Sequence, residues 1–219
     1  MEGISNIAIY AILVYKERFT MQNKKTVKRI KESITQPEYK KLMNSIRGDD
    51  TIRKITQQNL LRTFTILYFT GLRLNEIQQM KLSHIKELLE QGSTKLILPK
   101  TKSERKLFAG DEFRKQIVKL FTIDDKIDLD ARVVTKGSVK SGRTGINHDV
   151  FIKQVNSKMK EILGNGYTSH SFRQGLISEM GAKQINTKII SKFIGHSDVK
   201  TTMRYIKPTD EDLRKAMVR

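Results

Sequence analysis

Arg73, Lys100, His170, Arg173, His196 and Tyr205 are polar side chains at points where a helical protein has no structural need of them. Gly71 breaks a helical pattern, and Arg73 falls in the first turn of the next one. A guanidinium there sits beside free backbone N–H groups, and both favour an anion such as phosphate. Lys100, in Pro99-Lys100-Thr101-Lys102, occupies a polar hairpin turn from which an ammonium can reach over a substrate. His170 and Arg173 stand at i and i+3 and share one helix face, where imidazole can accept a proton and guanidinium can clamp phosphate. His196 follows a helix that ends in Gly195, and Tyr205 lies between apolar residues further on. Each has a bland reading when taken alone: a surface arginine, a polar turn, a chance histidine–arginine pair, a helix cap, a core tyrosine. Together they offer a nucleophile, proton carriers and phosphate clamps.

The elements that must position these groups are mostly helical. Thr35-Gln36-Pro37-Glu38 signals a helix start, with proline in the first turn and a carboxylate at the positive helix end. That helix runs to Arg47 and stops at Gly48-Asp49-Asp50. A second spans Ile52 to Thr70, with Ile55, Leu60, Phe64, Leu67 and Tyr68 at helical spacing. Another begins near Leu72-Arg73-Leu74. Lys95-Leu96-Ile97-Leu98 and Arg105-Lys106-Leu107-Phe108 read as short strands joined by a polar turn. Helix returns over Asp111–Phe121, a Gly-, Lys- and Ser-rich loop spans Thr135–Gly145, and the pattern from Asn147 to Arg219 is nearly all helical. The expected fold is mostly α with a small antiparallel β-sheet, forming one domain over 34–219 without an internal repeat. Residues 1–33 form an arm. Its apolar run Ile7–Tyr15 is roughly half the length that spans a bilayer, and reads as a packing segment rather than a signal peptide. The basic stretch Lys24, Lys25, Lys28, Arg29 and Lys31 follows it.

Charge narrows the partner. The 219 residues hold 42 Lys and Arg against 23 Asp and Glu, a formal net charge of +19, which points to a polyanion such as nucleic acid. The chain has no cysteine, which excludes disulfides, thiolate catalysis and cysteine-bound zinc, and fits a reducing interior.

The local strings carry a resemblance. Gly71-Leu72-Arg73-Leu74-Asn75-Glu76-Ile77 resembles the first arginine box of the tyrosine recombinase, or phage integrase, family. Thr168-Ser169-His170-Ser171-Phe172-Arg173 resembles its second box, and Phe193 to Ser197 followed by Thr201 to Tyr205 resembles the stretch that ends at its nucleophile. The resemblance covers about 34–217 and implies the catalytic-domain fold of that family. It implies that Tyr205 attacks a DNA phosphorus to give a 3′-phosphotyrosine. Arg73 and Arg173 would bind the non-bridging oxygens, with His170 as general base. Lys100 would protonate the leaving 5′-oxygen, with Lys102 as the alternative for that role. His196 would add a hydrogen bond to the phosphate, and Glu76 would brace the site. Neither cofactor nor metal is implied.

The resemblance further implies double-stranded DNA as partner and a homo-tetramer on paired sites, with a tail helix from about 207 docking on a neighbouring subunit. It also implies an intracellular location with DNA and no membrane. Family members carry a DNA-clamping domain ahead of the catalytic one. Arg73 leaves no room for it, so 1–33 is expected to be at most a remnant and an accessory DNA-binding protein is expected. Competing readings are a type IB topoisomerase, a telomere resolvase, or a non-catalytic DNA-binding relic. His84 and His148 are assigned to structure or surface.

Overall fold

The computed structural model describes residues 32–98, 104–123, 127–136 and 145–206, with Asp210, Arg214 and Met217. The chain divides into two units, Met1–Ile30 and Lys31–Arg219, and every described residue belongs to the second. The arm's remaining residues, the hairpin turn with Lys100 and Lys102, and most of the Gly-rich loop lie outside the described residues.

The helix signal at Thr35 is realised at once. α1 spans Gln36–Arg47, with Pro37 in its first turn, and the Glu38 carboxylate accepts from the Thr35 backbone N–H at 2.9 Å. α2, Lys54–Thr70, buries Phe64, Ile66 and Leu67 completely. It is the central element, packed against α1, α5 and α7. Gly71, in the left-handed conformation with φ +59°, ends it. α3 (Leu74–Gln79) and α4 (Leu82–Glu90) follow as two helices rather than one. Between them Met80 is extended, and its carbonyl accepts from Val133 N–H at 3.0 Å. Lys81 pairs with Arg132 as an isolated antiparallel bridge. A tertiary pairing thus splits a stretch with no breaker of its own.

β1 (Ser93–Ile97) and β2 (Glu104–Phe108) form a two-stranded antiparallel sheet, with Leu96 opposite Arg105 and Thr94 opposite Leu107. Those four residues share the buried face. α5 spans Asp111–Leu120, α6 His148–Leu163, α7 Ser169–Ala182, α8 Thr187–Ile194 and α9 Val199–Met203. Asp210, Arg214 and Met217 of the tail are helical.

The main core gathers apolar residues from α1 to α7. Phe172 of α7 stacks on Phe64 of α2 with ring centroids 5.6 Å apart, which pins the helix that carries the adjacent Arg173. Burial of a side chain of that size is worth about 1.5–3 kcal/mol. A smaller cluster, Ile177, Ile190 and Ile194, joins α7 to α8, and Tyr205 and Ile206 pack against it. The site therefore stands between a well-packed core and a smaller satellite cluster. Among the described residues no helix is long and apolar enough to cross a membrane.

Candidate active site

Arg73 is the N-cap of α3, and Glu76 holds it twice. The carboxylate accepts from the Arg73 backbone N–H at 2.8 Å and from its Nη1 at 2.8 Å. The Glu76 side chain is 4% exposed and that of Arg73 40%, so Arg73 is anchored from beneath with its outer side towards solvent.

A second guanidinium reaches the same carboxylate. Arg105 of β2 donates from Nη1 to Glu76 Oε2 at 3.2 Å, from Nη2 to the Thr70 carbonyl at 2.7 Å and from Nε to the Phe193 carbonyl at 3.1 Å. Burial pulls its pKa down to about 10, against the raising effect of Glu76. The next residues explain how it gets there. Gly195, at φ +74°, closes α8 in the left-handed conformation, and a β-carbon on it would lie 3.2 Å from Arg105 Cδ. Glycine therefore serves both the turn and the close approach.

Arg173 comes from α7 and is 6% exposed. Its Nη1 donates to the Gly71 carbonyl at 2.8 Å and its Nε to His196 Nε2 at 3.3 Å. Its Nη2 is buried without a hydrogen-bond partner among the described residues. Burial first, then the guanidiniums of Arg73 and Arg105, bring its pKa down to about 9. The Tyr205 phenol is close enough to act on it in the opposite sense.

His196 pairs through Nδ1 with the Thr202 hydroxyl at 2.8 Å. Since Nε2 accepts from Arg173, the network assigns the ring proton to Nδ1, which donates to Thr202. Burial, then Arg173, Arg73 and Arg105, hold its pKa near 4, so the ring is neutral at neutral pH. Thr202 is fully buried on α9, and its backbone carbonyl accepts from the Tyr205 backbone N–H at 3.0 Å. Ser178 Oγ donates to the Tyr205 carbonyl at 3.2 Å. The backbone of Tyr205 is thus tied both to the residue that orients His196 and to the helix of Arg173.

The fold brings Arg73, Glu76, Arg173, His196 and Tyr205 together. His170 lies in the first turn of α7 with its side chain exposed, on the helix that carries Arg173. Lys100 and Lys102 lie outside the described residues. Sequence reasoning missed Arg105 and Thr202. The signal for Arg105 was available: it stands two residues before Leu107 in a strand, and alternation puts both on one face. His84 Nδ1 accepts from the Lys81 backbone N–H at 2.9 Å, beneath the start of α4. His148 Nδ1 lies 2.5 Å from Gln78 Oε1, beside an open cavity of about 540 Å³ that Asn75, Gln79 and Arg132 also line.

The arrangement is a set of forked cationic donors around one buried carboxylate, with a tyrosine at its edge. It suits a tetrahedral anion and a covalent step on it. The phage integrase family model matches residues 32–212, and the chain belongs to that family. Curated relatives include tyrosine recombinase XerC of Treponema denticola, 28% identical over 69% of this chain and 52% of that protein. Tyrosine recombinase XerA of Pyrococcus furiosus is 25% identical over 98% of this chain and 73% of its own length. Of the solved structures, XerA recombinase superposes with a TM-score of 0.60 at 18% identity, covering 84% of this chain and 61% of that one. The XerH site-specific recombinase in a post-cleavage complex with its difH substrate also gives 0.60, at 18% identity over 84% of this chain and 51% of that one. The fold is that of the tyrosine recombinase catalytic domain. The chain spans about half the length of the first curated relatives it matches, 52% and 49%.

Proposed function

We propose that this chain breaks and rejoins double-stranded DNA as a site-specific recombinase, through a covalent 3′-phosphotyrosine. The observation that carries the reading is Arg173 Nη2, a buried donor without an acceptor among the described residues, in the cluster that also holds Arg73, His196 and Tyr205. A buried guanidinium N–H without an acceptor is costly, and a phosphate oxygen is its natural partner.

In the proposed step the Tyr205 oxygen attacks the scissile phosphorus. The new O–P bond forms as the bond to the 5′-oxygen breaks. The tyrosine proton passes to His170, and Lys100, or Lys102 in its place, delivers a proton to the departing 5′-oxygen. Arg73 and Arg173 carry the charge on the non-bridging oxygens, which is where transition-state stabilisation acts. For His196 to donate to phosphate, its proton must move to Nε2, and Nδ1 must then accept from Thr202. A threonine hydroxyl permits that exchange because it donates as readily as it accepts. The reading extends to a homo-tetramer on paired sites, with the tail helix docked on a neighbouring subunit, to an accessory DNA-binding protein, and to an intracellular location with DNA.

The test is a denaturing gel on a nicked duplex from which the short fragment bearing the new 5′-hydroxyl can diffuse away. Wild type forms a covalent protein–DNA adduct, and Tyr205→Phe forms none while binding the duplex with unchanged affinity. An adduct in the phenylalanine variant would falsify the assignment of the nucleophile.

A further inference from the structure

Arg105 is buried and held on three sides. Each of its guanidinium nitrogens donates within the protein, to Glu76, to Thr70 O and to Phe193 O, and its side chain is 2% exposed. At that burial the fork faces the protein interior rather than a substrate. Its acceptors, however, sit in the segments that carry the site. Thr70 ends α2 immediately before Gly71-Leu72-Arg73. Glu76 grips Arg73 through backbone and side chain. Phe193 lies in the last turn of α8, just before Gly195 and His196. Arg105 itself belongs to β2, the strand that follows Lys100 and Lys102 in the sequence.

We infer that Arg105 is a positioning residue of the active site: through its fork it fixes Arg73, by way of Glu76, and the His196 turn relative to one another, and it adds a fixed positive charge behind the phosphate. The inference rests on the recombinase reading above. A merely structural salt bridge would need one contact, and a lysine could supply it. The forked planar donor is required only where several acceptors must be held at set angles. The charge acts as well as the shape, because Arg105 is among the cations that disfavour protonation of His196. Misplacement of a reacting group by about 1 Å costs on the order of 100-fold in rate without a matching loss of binding.

Arg105→Lys and Arg105→Met, with wild type, are assayed for adduct formation on the nicked duplex, for DNA affinity and for melting temperature. The His196 ring is titrated by NMR in each protein without DNA. Arg105→Lys is expected to bind DNA as wild type does, to melt lower for its unmade bonds yet remain folded at the assay temperature, to keep His196 near 4, and to form adduct on the order of 100-fold more slowly. Arg105→Met is expected to lose more rate and to let the His196 titration move up towards 6.5. If wild type itself forms no adduct, the recombinase reading fails. If wild type does and Arg105→Lys matches it, the positioning role fails. A rate loss in Arg105→Lys that a fall in affinity or melting temperature fully explains overturns it equally, since the residue would then serve only the fold.

Discussion

The imidazole of His196 is held near 4 in the folded chain against an ordinary value of 6.5. Between those values an unfolded chain takes up a proton that the folded one refuses. Stability from this residue is therefore complete above pH 6.5 and is lost as pH falls towards 4. His84, lowered by its own burial, contributes in the same direction. His196→Gln should leave only the latter. Urea denaturation across this window should show a shallower dependence of stability on pH in the variant, and equal slopes would mean that His196 is already charged in the folded state. At this scale the sequence was informative about polar types that are costly without a partner, and the fold gathers Arg73, Arg173, His196 and Tyr205 in one place. It was uninformative about Thr202, a small hydroxyl whose importance lies entirely in what it touches.

Helices were the most legible elements. Start and stop signals such as Thr35-Gln36-Pro37, Gly48 and Gly71 act locally, and the chain obeys them at Gln36, Arg47 and Thr70. Asn147 likewise accepts from the N–H groups of Asp149 and Val150 at the start of α6. The break between α3 and α4 was hidden because a distant strand-like segment imposes it, and Arg105 was passed over, despite its alternation with Leu107, because a charged residue in a strand ordinarily faces solvent. One packing relation between segments is sharp enough to test. A β-carbon on Gly175 of α7 would fall 2.0 Å from the Ile34 carbonyl oxygen, where Ile34 N–H is bonded to the Ser171 carbonyl at 3.0 Å. Gly175→Ala must push the 32–35 segment away from α7. The expected cost is about 1–3 kcal/mol, the usual range for overpacking, read by chemical denaturation. A neutral result would show that this segment is free to move outwards.

Across the whole molecule the excess of basic over acidic residues, +19, sets a broad attraction for a polyanion. The site concentrates it: Arg73, Arg105 and Arg173 surround the single carboxylate of Glu76, and burial and mutual repulsion lower the pKa of Arg105 and Arg173. This local excess is of another kind from the surface charge, because salt screens exposed charges far more than buried ones.

That cluster has a consequence for folding itself. A protein that crowds like charges together at a largely buried site resists its own closure, and any oxyanion that settles among them relieves the repulsion, so binding and folding draw on one free energy. The relation is mass action: a ligand at a hundred times its dissociation constant stabilises the folded state by about 2.7 kcal/mol, which for a chain of this size is roughly 5–11 °C in melting temperature. Orthovanadate or inorganic phosphate, with no DNA present, should therefore raise the melting point of the wild-type chain. Arg173→Ala, lacking the donor that has no partner among the described residues, should melt at nearly the same temperature with or without the anion. The substrate's phosphate would then be, in thermodynamic terms, the last piece of the protein's own interior.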